Sequence, residues 1–189
     1  MSLLVNHQKQ FGFIHIPKTG GTTLTETLKQ VDGTEIITSH DSIRLFENVK
    51  DYFIFTIVRN PYTKIASAYF AECRKWGDKT FKEFLLNLNE NDVWYLPQKY
   101  YVTAGSLDDK KVTFIGRYEN YTNDVKIILD RIGIKIAIPH LNRNPIYDKH
   151  PNIKQHEFYK HLYEEKWMID WVRERYEDDF KFFNYDMDL

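Results

Sequence analysis

One short stretch of this chain has the chemistry of an anion site: Lys18-Thr19-Gly20-Gly21-Thr22-Thr23, directly after the β-prone run Phe11–Ile16. Glycines let backbone amides approach an anion closely. A helix starting there adds unpaired N–H groups and a partial positive charge. Lys18 contributes a full charge and the threonine hydroxyls further donors. A dianionic phosphate suits that set. The order is not that of a GxxxxGK[ST] loop, because the lysine precedes both glycines. The same residues also suit an ordinary strand–turn–helix corner.

A second group follows the apolar run Tyr52–Val58: Arg59-Asn60-Pro61, with Ser67 eight residues after Arg59. Arginine makes charge-assisted, often bidentate bonds to phosphate. The alternative is a salt-bridged helix-start arginine and a small packing serine. His40 lies in Thr38-Ser39-His40-Asp41-Ser42. A neutral imidazole near pH 7 suits proton abstraction, and a solvated loop histidine is the plainer role. His15 sits inside the first strand and reads as a packed residue with a satisfied ring. His156 and His161 are five apart, not the i,i+4 pair of a helical zinc site, and no metal is expected.

Strands must carry these groups. Four are expected: Phe11–Ile16, Glu35–Thr38, Tyr52–Val58 and Lys111–Gly116. The third is nearly continuously apolar, as in a strand covered on both faces. Helices are expected over 23–30, over 62–76 with Pro61 in its first turn, after a Thr80 cap, over 123–132 ending at Gly133, and from Ile153 onward with a break near Asp178. The stretch 139–151 reads as a loop. Strands alternating with helices at this spacing imply an α/β three-layer sandwich around a central parallel sheet of about four to five strands, with a helical C-terminus. Ligands in such folds bind beyond the carboxyl ends of the strands, where the Lys18 loop, His40 and Arg59 all follow.

The chain has 189 residues, which suits a single domain over 1–189. Lys plus Arg is 26 and Asp plus Glu is 27, a net charge of −1, so a broad nucleic-acid surface is disfavoured while a local basic pocket is allowed. The one cysteine, Cys73, rules out an internal disulfide and suits a reducing compartment, with the cytoplasm expected. No apolar run reaches the length of a membrane span. The opening MSLLVNHQ does not read as a signal peptide and receives no element.

The segment His15-Ile-Pro-Lys-Thr-Gly-Gly-Thr-Thr-Leu24 resembles the 5′-phosphosulfate-binding loop of sulfotransferases that use 3′-phosphoadenosine 5′-phosphosulfate. Its form looks most like the carbohydrate branch, including heparan sulfate 2-O-sulfotransferase relatives. Arg59-Asn60-Pro61 with Ser67 resembles that family's 3′-phosphate motif, with Lys64 where the family often carries arginine. Weaker likenesses are Phe114–Tyr121, the loop Pro139–Asn144, and the end Val172–Phe180 followed by Phe183-Asn184-Tyr185.

The resemblance implies a sulfotransferase of P-loop-like nucleotide-binding topology. Lys18, Thr19, Gly20, Gly21, Thr22 and Thr23 would hold the 5′ end of the donor, and Arg59 and Ser67 its 3′-phosphate. Tyr118 would meet the adenine or simply pack, and Arg143 would meet a phosphate. Lys18 and His40 would be catalytic, His40 as general base. The co-substrate would be 3′-phosphoadenosine 5′-phosphosulfate. The acceptor would bear a hydroxyl, on a carbohydrate or other small alcohol, with Trp76, Trp94, Tyr95, Gln98, Tyr100 and Tyr101 as weak contact candidates. The rivals are a P-loop-type nucleotide phosphotransferase, which needs a Mg²⁺-binding acid where strand three ends in Arg59, and a non-catalytic nucleotide-binding protein of the same fold.

Overall fold

The computed structural model describes residues 2–37, 51–103, 112–136 and 159–189. The chain divides into two compact units, Met1–Arg59 with Gln98–Asn142, and Asn60–Pro97 with Arg143–Leu189.

Among the described residues the first unit carries five strands: β1 (Ser2–Asn6), β2 (Phe11–His15), β3 (Thr34–Ile37), β4 (Phe53–Val58) and β5 (Phe114–Arg117). Their order is β3-β1-β2-β4-β5. The pairs β2–β4 and β4–β5 are parallel, while β1 runs antiparallel to both β2 and β3. The sheet is therefore mixed, which corrects the expected parallel sheet. The missing piece was β1. Its apolar content is only Leu3-Leu4-Val5, too short for a periodic signal, and its hairpin turn lacks the Asn-Gly or Asp-Gly that announces one. Asn6 does that work instead. Its Oδ1 accepts from the Lys9 N–H at 2.8 Å, and its Nδ2 donates to the Asp32 carbonyl at 3.0 Å and to Thr34 Oγ1 at 2.9 Å. One buried amide thus pins β1 to the turns on both sides.

With β1 reversed, β2, β3, β4 and β5 still point the same way, so their carboxyl ends share one edge of the sheet. Period-two alternation sets the faces. Phe11 and Phe13 of β2 with Phe55 and Ile57 of β4 meet Leu24 and Leu28 of helix α1 (Gly21–Leu28) and Val125, Ile128 and Leu129 of α5 (Tyr121–Arg131). Phe13 and Phe55 stack at 5.3 Å between centroids. Deleting one such ring from a core costs about 3–5 kcal/mol. The alternate residues Leu3, Val5, Ile14, Ile54 and Val58 are buried as well. Among them Thr56 stays satisfied by donating to the Ile14 carbonyl at 2.7 Å. A further helix among the described residues of this unit, α4 (Gln98–Thr103), was not expected from the sequence.

The second unit is helical: α2 (Pro61–Trp76), α3 (Phe81–Leu86), α6 (Lys166–Arg175) and α7 (Glu177–Phe183). Asn60 caps α2 by accepting from the Tyr62 N–H at 2.9 Å, with Pro61 in the first turn as expected. Thr80 and Glu83 form a reciprocal capping box on α3. Tyr62, Ile65, Phe81, Phe84, Val172, Tyr176 and Phe180 share the core of this unit. Lys64 is fully buried there, donating to the carbonyls of Trp94 at 3.2 Å and Leu96 at 3.3 Å. Among the described residues no helix is long and apolar enough to cross a membrane.

Candidate functional site

Three segments at the carboxyl edge of the sheet come together within the first unit. The loop from Ile16 to Gly20 joins β2 to α1, Arg59 follows β4, and the turn Tyr118–Asn120 follows β5.

The loop has an unusual backbone. Lys18 has φ +68° and Gly20 has φ +84°, both left-handed. For Gly20 that conformation is free of penalty, but for lysine it costs about 1–2 kcal/mol. Such strain is kept where the surrounding structure enforces it, and an observed outlier of this kind is grounds for a functional hypothesis. Thr19 secures the turn by donating from Oγ1 to the Ile16 carbonyl at 2.9 Å and is buried. Its hydroxyl therefore serves the loop. Thr22 is exposed on the first turn of α1, while Thr23 is buried.

Both glycines are needed for space. A Cβ on Gly20 would lie 2.9 Å from Tyr121 Cε2 and 3.0 Å from Tyr118 Cδ2. A Cβ on Gly21 would lie 2.2 Å from His15 Cδ2. The Tyr121 hydroxyl donates to the Gly20 carbonyl at 2.9 Å, tying the start of α5 to the loop. Burial pushes that phenol well up, and it stays neutral.

His15 stacks on Phe13 at 5.9 Å, and its Nδ1 is 3.2 Å from Thr25 Oγ1. Burial first, then the charges of the N-terminus and Lys29, lower its pKa to about 4. The ring is neutral at neutral pH, in the packed role expected of it.

Arg59 is buried, with 2% of its surface exposed. Its Nη1 donates to the Lys18 carbonyl at 3.1 Å. Its guanidinium carbon lies 3.9 Å from the centroid of Tyr118, in cation–π geometry. Tyr118 thus gives a ring face to Arg59 and a ring edge to Gly20. Asp124 shapes the turn that presents it, accepting from the Arg117 N–H at 2.6 Å and from Asn120 Nδ2 at 2.8 Å. Three segments far apart in sequence are tied together by Arg59.

Of the other expected site residues, Ser67 is half-buried on α2 of the second unit. His40 and Arg143 lie outside the described residues. Gln98, expected as a weak acceptor contact, is fully buried, and its amide bonds the Arg59 main chain. Tyr121 and Asp124 were missed. Their signal was their spacing, three and six residues after Tyr118, which puts both on the turn-and-helix start that frames the loop.

A left-handed Lys18–Gly20 turn at a helix N-terminus, beside the buried guanidinium of Arg59, has the chemistry of an anion site. Among known families, the model of the sulfotransferase family matches residues 1–186. No match is found among curated proteins or among solved structures.

Proposed function

The chain belongs to the sulfotransferase family, and on that premise we propose that it moves a sulfuryl group from 3′-phosphoadenosine 5′-phosphosulfate to a hydroxyl of a carbohydrate or other small alcohol. The observation that carries this reading is the bond from Arg59 to the Lys18 carbonyl beside the stacked Tyr118. It joins a loop suited to the 5′ end of the nucleotide to a cation suited to its 3′-phosphate.

Lys18 and the amides of 19–23 then stabilise charge that builds on the departing 5′-phosphate, as preorganised donors do. The S–O bond to that phosphate breaks in line as the acceptor oxygen bonds sulfur, and the acceptor proton passes to His40. In support of that role, β3 ends at Ile37, three residues before His40 and at the same sheet edge as β2 and β4. A well-placed imidazole base contributes about 10²–10⁴-fold. Arg59 stands where a P-loop phosphotransferase would need a Mg²⁺-binding acid.

The test is transfer of labelled sulfuryl to a panel of sugars and small alcohols with a chelator present. Wild-type protein transfers label, and Lys18→Ala and His40→Ala lose transfer while staying folded. Near-normal transfer by folded His40→Ala assigns the base elsewhere. Donor binding without transfer to any acceptor supports a non-catalytic protein. Activity only with ATP and Mg²⁺ supports a phosphotransferase.

A further inference from the structure

The ladder between β4 and β5 ends at the pair Val58–Arg117. Arg59 is one residue beyond it, is buried, and still has a main-chain N–H and C=O to satisfy. Among the described strands no ladder pair reaches them. The side chain of Gln98, at the start of α4, takes that place. Arg59 N–H donates to Gln98 Oε1 at 2.8 Å, and Gln98 Nε2 donates to the Arg59 carbonyl at 2.7 Å. The two bonds take the place of those that a longer neighbouring strand would supply. Gln98 is itself fully buried.

We infer that Gln98 is a positioning residue that fixes the backbone of Arg59, and through it the aim of the guanidinium toward the 3′-phosphate of the nucleotide. This rests on the nucleotide reading proposed above. The chemistry explains why the residue is glutamine. A primary amide both donates and accepts, matching a peptide group atom for atom. A carboxylate of equal length only accepts, and methionine of similar length offers neither strong bond. Arg59 has further anchors at its tip, the Lys18 carbonyl and the Tyr118 ring. A side chain held at its tip and at its main chain is preorganised, so little order must be imposed when an anion binds.

The test compares 3′-phosphoadenosine 5′-phosphate with adenosine 5′-phosphate, two ligands that differ only in the 3′-phosphate. The ratio of their dissociation constants reads that group alone. In Gln98→Met the preference for the 3′-phosphorylated ligand falls about tenfold, affinity for adenosine 5′-phosphate changes little, and the Arg59 amide exchanges with solvent faster relative to Ile57 in the same strand. In turnover, KM for the donor rises more than kcat falls. If Gln98→Met does not fold, Gln98→Asn serves, a neutral amide one methylene too short to reach both main-chain groups of Arg59. A wild-type preference in the folded variant, or equal weakening of both ligands, overturns the positioning role. A wild-type protein without any preference for the 3′-phosphate overturns the nucleotide reading and this inference with it.

Discussion

The guanidinium of Arg59 donates to the main-chain carbonyl of Lys18 at 3.1 Å, across 41 residues of sequence. That bond makes the position of a loop backbone depend on a side chain at the end of another strand. Under the proposed function the two ends of the nucleotide are bound by parts that hold each other, so damage at one end is felt at the other. The effects of Lys18 and Arg59 variants on nucleotide affinity are accordingly non-additive.

The left-handed backbone at Lys18 separates stability from activity. Glycine adopts φ +68° freely, and lysine does so at a cost. Lys18→Gly therefore keeps or slightly raises the melting temperature, by an amount equivalent to about 1 kcal/mol or less, while sulfuryl transfer falls at least about 100-fold. Thermal melting and initial rates check both halves. A clear fall in melting temperature shows that the lysine side chain stabilises the loop by more than its strain costs.

Gly21 and His15 are coupled by contact. Gly21→Ala drives a methyl into the imidazole and destabilises by about 1–3 kcal/mol, the usual cost of overpacking. His15→Ala opens the space, so the double variant is less destabilised than the sum of the single changes. Chemical denaturation of the four proteins measures the coupling. Simple additivity means that the ring moves aside without cost.

The same imidazole makes stability depend on pH. In the folded protein its pKa is lowered from 6.5 to about 4, chiefly by burial. Between those values the unfolded chain takes up a proton that the folded chain refuses. His15 therefore opposes folding progressively as pH falls from 6.5 to about 4, by no more than about 3 kcal/mol. Its contribution is complete above the unfolded value. His15→Gln flattens that segment of the stability–pH curve, and an unchanged slope in the variant assigns the acid sensitivity to other groups.

Much of the fold could be read from local pattern. The apolar run at β4, Pro61 at the start of α2, the Thr80–Glu83 box and Gly133 at the end of α5 are all short-range signals. Strand β1 could not be read, because Leu3-Leu4-Val5 is ordered by Asn6 reaching Asp32 and Thr34, contacts far off in sequence. Its reversed direction changed the sheet from parallel to mixed while leaving the carboxyl ends of β2, β3, β4 and β5 at one edge. Lys18, Gly20, Gly21 and Arg59 stood out because their types and spacing suit an anion, and the structure brings the Lys18 loop and Arg59 together. The role of Gln98 did not stand out, because a glutamine that caps a strand end has the same appearance in sequence as one that faces a sugar. Tyr118 was open between packing and adenine contact, and the structure gives its face to Arg59.

The central claim is tested most directly by titration calorimetry with 3′-phosphoadenosine 5′-phosphate, against ADP and ATP, without metal. The account predicts that the 3′-phosphorylated nucleotide binds most tightly. Arg59→Ala should weaken it about 10–100-fold, the loss expected of charge-assisted bonds. Arg59→Lys should recover only part, since an ammonium lacks the planar face that lies on Tyr118. Unweakened binding in folded Arg59→Ala, or a preference for ATP, would contradict the assignment of this edge as the donor site.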